Sequence, residues 1–445
     1  MLSAERNETL TRVGPGTPMG EVLRRYWWPV AFDADLPRRD LRKVRLLGED
    51  LVLYRLADGS IHLLADRCPH RGAALSYGIV EADGVRCPYH GWLFNGSGAC
   101  LEQPGEPASS TAARRVTAPA HQVRALGGLL FAYLGPAPAP TLPRYDLFCW
   151  DDAIRDVGHA TIPCNHVQIM ENGVDLDHVA WLHGRYSRWL ATRGVADELP
   201  ATFTRLNREV SFEATGYGIL MRRQLDGQDA SADDWAIGHP LVFPNLVRLG
   251  GGGSYGFHLR TPIDDETTWV LWYLAYRPGG RPVTDPGPVT SYPVPWRTGD
   301  GELILNNVEG QDIMAWLAQG PIADRSRERL GAVDRGVGLL RRMYFDQLDR
   351  VRRGEDPINV LRGTGSNAVI DLPQEEEKFG SGAGFVRDLL TATQARFSPR
   401  RAEIVRRYAA AGVDLGLPIE PATAPAAVPD PEANRLPEPV GGERS

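Results

Sequence analysis

Cysteine is scarce in this 445-residue chain, and the five that occur, at 68, 87, 100, 149 and 164, form an odd and scattered set. That argues against a disulfide framework and for a reducing compartment. No run of Lys and Arg reaches five residues and the net charge is −7, so a basic footprint for nucleic acid is missing. No apolar run approaches the ~18 residues that mark a membrane span. The first residues, MLSAERNETLTRVGPG, lack the apolar core of a secretory signal. A repeat of solenoid type is absent as well. What remains is an ordinary globular composition, 42% hydrophobic and 24% charged, in a chain long enough for two domains. These absences predict a soluble cytoplasmic protein that binds neither nucleic acid nor membrane.

Residues 43–66, KVRLLGEDLVLYRLADGSIHLLAD, are short β-rich runs broken by GED and DGS, both hairpin punctuation. More strand signal follows at 122–134, and GPAPAPTLPRY (135–145) reads as a stiff linker and a domain boundary. The division expected is an N-terminal helical or extended segment at 1–40, a small antiparallel β domain at 41–140 and a larger domain at 146–415. The last 30 residues, 416–445, are Pro- and Ala-rich and are expected to be a disordered tail. In the larger domain 166–183 looks helical, and strand-like runs follow at 201–213, 216–225, 247–261 and 266–277. A Pro/Gly-rich excursion spans 278–300, and helices return from 308. Val337, Leu340, Tyr344, Leu348 and Val351 recur at helical spacing, as a core-packing stripe does. The fold class expected is α+β, an antiparallel sheet covered by helices beside the small β domain.

Residues 68–91, CPHRGAALSYGIVEADGVRCPYHG, carry two Cys–His pairs, Cys68-x-His70 and Cys87-x-x-His90. Four such ligands on two loops suit a metal group. Structural zinc takes Cys and His tetrahedrally, but its pairs are usually spaced C-x2–4-C and H-x3–5-H. Cys68-x-His70 is short for that. The competing assignment is a [2Fe–2S] cluster with two thiolates on one iron and two neutral imidazoles on the other, which raises its potential. With Pro69, Arg71 and Gly72 after the first cysteine and PYHGW (88–92) around the second pair, these residues resemble the Rieske motif. Rieske proteins of respiratory complexes carry an extra cysteine in each loop, and the two form a disulfide. Here those positions hold Ala73 and Tyr89. The resemblance is thus to the lower-potential type of oxygenases and their ferredoxins, in which the cluster relays electrons.

Residues 165–184, NHVQIMENGVDLDHVAWLHG, offer Asp175, Asp177, His178 and His183. Two histidines and a carboxylate on one side of iron, with other positions open, is how non-haem Fe(II) leaves room for oxygen and substrate. Spacing alone does not separate ligands from ordinary histidines here. Residues five apart lie about 140° apart on a regular helix, so these two converge only where the helix is broken or bulged. The family adds a pattern: Rieske oxygenases carry N-x2-D-x2-H-x4-H, which Asn172, Asp175, His178 and His183 match position by position. VEGQDIMAWLAQGPIADRSRERLG (308–331) resembles the segment of the phthalate-dioxygenase-like group that carries the third ligand, which points to Asp312. Glu309 and Asp324 nearby are then taken as a surface residue and a salt-bridge partner. His166 stands where the group has a larger aromatic, and is expected to pack or to support a ligand. His62, His121 and His159 show no partner pattern, and Cys100, Cys149 and Cys164 look like small buried hydrophobes.

The resemblance runs from TRVGPGTPMGEVLRRYWWPV (11–30) to RRGEDPINVLR (352–362). CNHVQIMENGVDLDHVAWLHGRY (164–186) and DWAIGHPLVFPNLVRLGGGG (234–253) are similar to the dehydrodivanillate O-demethylase oxygenases. It implies a terminal oxygenase that uses O2 and electrons from a flavin or iron–sulfur reductase, with or without a ferredoxin, to hydroxylate or O-demethylate an aromatic acid or aryl ether. Ring cis-dihydroxylation is the alternative outcome. It further implies Cys68, His70, Cys87 and His90 as cluster ligands, His178, His183 and Asp312 on Fe2+, and a homotrimer. In that trimer Asp175 bridges His90 of one subunit to His178 of the next, fixing their ring tautomers; Asp177 competes for the role. The strands of 200–275 should line the substrate pocket, with GHPLVFPN (238–245) as a wall. Arg222, Arg223, Arg248 and Arg260 are candidates to pair a substrate carboxylate, and alternation sends about half of them away from it. Two other classes stay open: a Rieske electron carrier with a ligand-binding domain, and a zinc-stapled scaffold.

Overall fold

Short apolar strands and two-residue turns build the first sheet in a computed structural model that describes residues 1–107, 115–363 and 368–421. Helices Ala4–Thr11 and Pro18–Leu23 lead into β1 (Trp27–Phe32), β2 (Asp40–Leu46), β3 (Glu49–Arg55) and β4 (Ile61–Ala65). Four short strands follow, β5 (Ile79–Val80), β6 (Val85–Arg86), β7 (Leu93–Phe94) and β8 (Cys100–Glu102), and then β9 (Ala120–Leu126) and β10 (Leu129–Tyr133). The long strands form a six-stranded sheet in the order β1-β10-β9-β4-β3-β2, and the short ones a sheet of their own. Leu47 and Gly48 have φ of 50° and 79°, and Gly127 and Gly128 have 59° and 79°. Two consecutive positive φ values are what a tight hairpin with the strands' own twist requires. Residues 1–40 do not stand apart: β1 pairs with β10 and is an edge of this sheet.

The second sheet has eight strands: β11 (Ile154–Ile162), β12 (Asn207–Ala214), β13 (Gly218–Leu225), β14 (His239–Val242), β15 (Leu246–Gly251), β16 (Ser254–Pro262), β17 (Thr268–Tyr276) and β18 (Thr290–Pro293). Their order is β12-β13-β14-β15-β16-β17-β11-β18. Every pairing is antiparallel except β11 with β18. Two expectations are corrected here. Residues 201–204 form a 3-10 turn before β12, and the Pro/Gly-rich stretch contains the edge strand β18.

The two faces of this sheet do different work. Phe257, Leu259, Leu271 and Tyr273 pack against Trp27, Phe131 and Tyr133 of the first sheet. On the other face lie helices His166–Asn172, Val308–Ala318, Ala383–Ala392 and Arg401–Ala410. The core is continuous across residues 135–145: Leu10, Trp28 and Leu53 share one cluster with Ile219, Leu241 and the Val337–Leu340–Tyr344–Leu348 stripe. Leu47 and Gly48 also donate backbone hydrogen bonds to Pro262 and Ile263 of the second sheet. No helix among the described residues is long and apolar enough to cross a membrane. Of the expected tail, 422–445 lies outside the described residues.

Candidate metal centre and substrate cavity

The two Cys–His loops have the same backbone design. Cys68 N–H donates to Ala73 C=O (2.9 Å) and receives at its own carbonyl the N–H of Gly72 (2.8 Å). Cys87 N–H donates to Trp92 C=O (2.8 Å) and receives that of Gly91 (3.0 Å). Gly72 and Gly91 turn with φ of 76° and 73°, a conformation that favours glycine. Both cysteines are buried. Burial first, and the adjoining Cys87 thiol, push Cys68 up to about 11, against backbone N–H bonds from His70 and Arg71. The imidazoles of His70 and His90 lie at the rim with centroids 4.7 Å apart, and Trp92 stacks on His70 at 4.4 Å. Two buried thiols and two outward imidazoles fit a cluster with two thiolates on its inner iron and two histidines on its outer one.

The second set converges because the helix changes type. His166–Asn172 is α-helical, and the chain re-enters at His178 as a π-helix over Val179–Tyr186. Hydrogen bonds of i→i+5 type bring residues five apart close to one turn, so His178 and His183 face each other with centroids 5.2 Å apart. Helix Val308–Ala318, capped by Asn307, brings in Asp312. Its Oδ1 lies 3.3 Å from His183 Nε2 and 3.6 Å from His178 Nε2. One ligand atom from each of the three lies within 4.8 Å of the others. Burial alone would raise Asp312, but His183, His178 and Arg260 outweigh it and hold the carboxyl below its ordinary value.

Both imidazoles are oriented from behind. His183 Nδ1 lies 3.1 Å from Gln311 Oε1, and Gln311 Nε2 donates to Leu305 C=O at 3.0 Å, which fixes the amide's direction. His178 Nδ1 lies 2.5 Å from the Asp175 backbone carbonyl. With an acceptor at each Nδ1 the protons sit there, and each Nε2 presents its lone pair toward Asp312. Two neutral nitrogens and one carboxylate oxygen on one side of a point fit an Fe(II) site. The Asp175 carboxylate takes a different place from its carbonyl: Oδ1 accepts from the N–H of Asp177 and His178, and Oδ2 stands 3.9 Å from His178 Nδ1. Asp177 is tied instead to Asn207, at 2.7 Å.

Between these three side chains and the helix-covered sheet face lies a cavity of about 170 Å³, walled by Leu176, Phe203, Phe379 and Phe385 among others. Strand register sorts the four candidate arginines. Val247 faces His258 and Met221 faces His239, so Arg223 and Arg260 share the cavity face while Arg222 and Arg248 point the other way. Arg222 pairs with Glu213 (2.8 Å) and Arg248 with Asp146 (2.6 Å). Arg223 is held by Asp234 (3.2 Å). Arg260 is 4% exposed, its Nε and Nη1 have no protein partner among the described residues, and burial lowers it to about 10. Of the expected wall at 238–245, His239 reaches this cavity. His258, two residues before Arg260, also lines it and is driven by burial to about 3.

Glu309 is not a surface residue. It is 4% exposed, because positions 309, 312, 313 and 316 share the inward side of their helix. Burial pushes it up to about 8, although backbone N–H groups of Glu309 and Gln394 bond to its carboxyl. Asp324 holds the Ser326 N–H and hydroxyl at 3.0 and 2.6 Å rather than a cation. His166 is buried against Tyr344. Cys100 and Cys164 are buried, whereas Cys149 is only half-buried. Gln311, Glu309, His258 and Lys378 were not singled out for the site from sequence. A signal existed for His258, whose i, i+2 spacing from Arg260 puts both on one strand face.

The profile of the Rieske [2Fe–2S] domain matches residues 26–120, that of the vanillate O-demethylase oxygenase C-terminal domain 162–288, and that of the LigXa C-terminal domain 300–370. The 5,5'-dehydrodivanillate O-demethylase oxygenase subunit of Sphingobium sp. is 41% identical over 84% of this chain and 87% of its own length. The phthalate 4,5-dioxygenase oxygenase subunit of Pseudomonas putida is 33% identical over 83% and 90%. The tert-butanol monooxygenase / tert-amyl alcohol desaturase oxygenase subunit of Aquincola tertiaricarbonis is 42% identical over 81% and 80%. Pseudomonas putida CBB5 NdmA shares the fold, with a TM-score of 0.58 and 19% identity over 79% of this chain and 100% of that one. The chain belongs to the Rieske non-haem iron oxygenases: it is the oxygenase component of a multicomponent system, with a [2Fe–2S] cluster, a mononuclear Fe2+ centre and electrons supplied by a reductase or ferredoxin.

Proposed function

We propose that the substrate is a single-ring aromatic acid, hydroxylated or O-demethylated in the cavity beside His178, His183 and Asp312. The observation that carries this is Arg260. A buried guanidinium without a partner is costly, and a substrate carboxylate is the group that satisfies it, by charge-assisted and bidentate hydrogen bonds. A cavity of about 170 Å³ compares with the ~150 Å³ of an engineered site that takes benzene, so it suits one ring with its substituents. A neutral tertiary alcohol would leave Arg260 unpaired.

In this reading His178, His183 and Asp312 hold Fe2+, and Cys68, His70, Cys87 and His90 hold the cluster. When bound, the iron supplies the reduction of O2 next to substrate, one electron at a time. Gln311 and the Asp175 carbonyl keep the imidazole protons at Nδ1, and Phe203, Phe379 and Phe385 keep water from the ring. The assembly proposed is a homotrimer in a cytoplasmic setting. Tyr77 and Tyr89 near the cluster loops and Trp181 on the π-helix are 81%, 55% and 58% exposed, as surfaces awaiting a partner subunit are. There the outward oxygen of Asp175 would meet His90 of the neighbouring subunit.

The test is a panel of methoxylated and unsubstituted benzoates and their methyl esters with a surrogate reductase, scoring formaldehyde and oxygen uptake. Acids should turn over and esters should not. Arg260→Gln should raise KM for acids about ten- to a hundredfold, the worth of one charged hydrogen bond. Equal turnover of esters and acids would refute the reading.

A further inference from the structure

Incorporating oxygen consumes protons as well as electrons. Hydroxylation, R–H + O2 + 2e⁻ + 2H⁺ → R–OH + H2O, and cis-dihydroxylation, arene + O2 + 2e⁻ + 2H⁺ → diol, each take two protons into a site closed by aromatic side chains. The electrons come through the reductase, and the protons need a way in. Neither Asp312 nor the two histidines can be the source, since each is committed to the metal.

A column of buried polar groups runs from this cavity into the sheet. Glu309 and Gln394 both line the cavity. Gln394 is 1% exposed, and its Oε1 and Nε2 find no protein partner among the described residues; nor do Glu309 Oε2, Tyr292 OH and Asp156 Oδ1. Gly158 brings these side chains together. A Cβ there would lie 3.1 Å from Gln394 Cγ and 3.2 Å from the Tyr292 ring, so the two side chains meet over a position kept empty by glycine. Tyr292 of β18 is in register with Gly158 of β11. Asp156 is two residues earlier on the same face, about 7 Å along the strand. The outer end is polar too: Ser398 Oγ donates to Asp156 Oδ2 and accepts the Arg400 N–H at 3.1 Å. The half-buried Arg400 guanidinium bonds Glu403 and the carbonyls of Pro286 and Pro288. Buried polar atoms that lack protein partners are satisfied by ordered water, and a row of them next to an apolar-walled cavity is a path.

We propose that Asp156, Tyr292, Gln394 and Glu309 enclose a hydrated proton path from the Ser398–Arg400 end of β11 to the substrate cavity. Its two carboxyl groups suit a relay, because burial pushes Asp156 up to about 7 and Glu309 up to about 8, and both then exchange protons near neutral pH. Tyr276 and Tyr292 face Asp156 from the neighbouring strands and Ser398 and Arg400 from the helix side. The inference rests on the oxygenase class of the protein and is independent of which substrate it takes.

The as-isolated protein tests it without turnover. A high-resolution crystal structure should show ordered waters joining Asp156 Oδ1, Tyr292 OH and the Gln394 amide. Near neutral pH, infrared spectra should contain a carboxylic acid C=O band that Glu309→Gln removes. On transfer to D2O that band should shift about tenfold more slowly in Tyr292→Phe and in Asp156→Asn than in wild type. Both substitutions are nearly isosteric, and unchanged cluster colour and circular dichroism check that each folds. A dry column, the absence of a Glu309-dependent band, or exchange as fast in both variants as in wild type would overturn the proposal.

Discussion

Gln311→Leu should empty the mononuclear site while leaving the cluster intact. In wild type the amide accepts from His183 Nδ1 at 3.1 Å inside a fully buried pocket. Leucine fills a similar volume but offers no acceptor, so the ring loses its reason to keep the proton on Nδ1. The alternative tautomer carries it on Nε2, where Asp312 Oδ1 waits 3.3 Å away, and an Nε2–H ring cannot ligate. The Asp312 acceptor is the same in both proteins, and leaving the buried Nδ1–H without a partner costs about 1–3 kcal/mol, which shifts the tautomer balance about five- to a hundredfold. Iron affinity should therefore fall about ten- to a hundredfold, in line with other groups that orient metal-bound histidines. Fe(II) competition against a chelator measures it, with the Rieske absorbance as the internal control. Gln311→Glu keeps an acceptor at the same atom and should restore most of the affinity. Iron binding within about twofold of wild type in Gln311→Leu would show that the amide does not set the tautomer.

Asp175→Asn should keep both metals and near-native stability, since the amide oxygen can still accept the Asp177 and His178 N–H groups. Reoxidation of the reduced cluster by O2 with substrate present should slow about ten- to a hundredfold in stopped flow, and wild-type rates would remove Asp175 from electron transfer. His166, buried and driven to about 3, stays neutral in the fold while the unfolded chain protonates it near 6.5. Its contribution is complete above about 6.5 and falls by about 1.4 kcal/mol per pH unit toward 3. Wild type should lose about 2 kcal/mol more than His166→Phe between pH 7 and 5 in urea titrations; parallel losses would contradict this. Gly184→Ala places a Cβ 2.6 Å from Phe203 O and 2.9 Å from Thr204 Cα, so the π-helix must shift. Mononuclear iron should be lost and stability should drop by about 1–3 kcal/mol. Gly338→Ala, with nothing within 4 Å, should be neutral or stabilising by up to about 1 kcal/mol, and equal effects would refute the steric argument.

The parts of the site that sequence made legible are those whose geometry is local. The Cys68–His70 and Cys87–His90 loops close on themselves within five residues, so a short local motif, with its resemblance to a known family, was enough to point to them. His178 and His183 were readable as a pair only on the condition of a bulged helix, and the π-helix met that condition. Alternation said that two of four arginines would leave the cavity, but naming them required the register of β13 to β16. Glu309 was misplaced because the rotation of its helix depends on Ile313 and Trp316 packing against β11 and β17, and those strands are distant in the chain. Lys378 and Phe379 reach the cavity from a segment with no regular pattern, and Phe379 takes a φ of 58° to do so. Edge strand β18 hid in a Pro/Gly-rich stretch because a short parallel edge needs little β propensity.

The layering of the two sheets bears on how the sites can communicate. The first Cys–His loop links β4 of the first sheet to β5, the second joins β6 to β7 of the small sheet, and the first sheet packs through Phe131 and Tyr133 on one face of the eight-stranded sheet. Arg260, His258 and the cavity lie on the other. The two Cys–His loops thus sit on the small sheet and its junction with the first, whereas His178, His183 and Asp312 border the cavity of the larger domain. The exposed edges point outward instead: His70 at the loop rim, and Asp175, whose carboxylate is 36% exposed beside His178. In the proposed trimer an electron route would begin and end at such edges. That is the physical case for a carboxylate rather than an apolar residue at position 175.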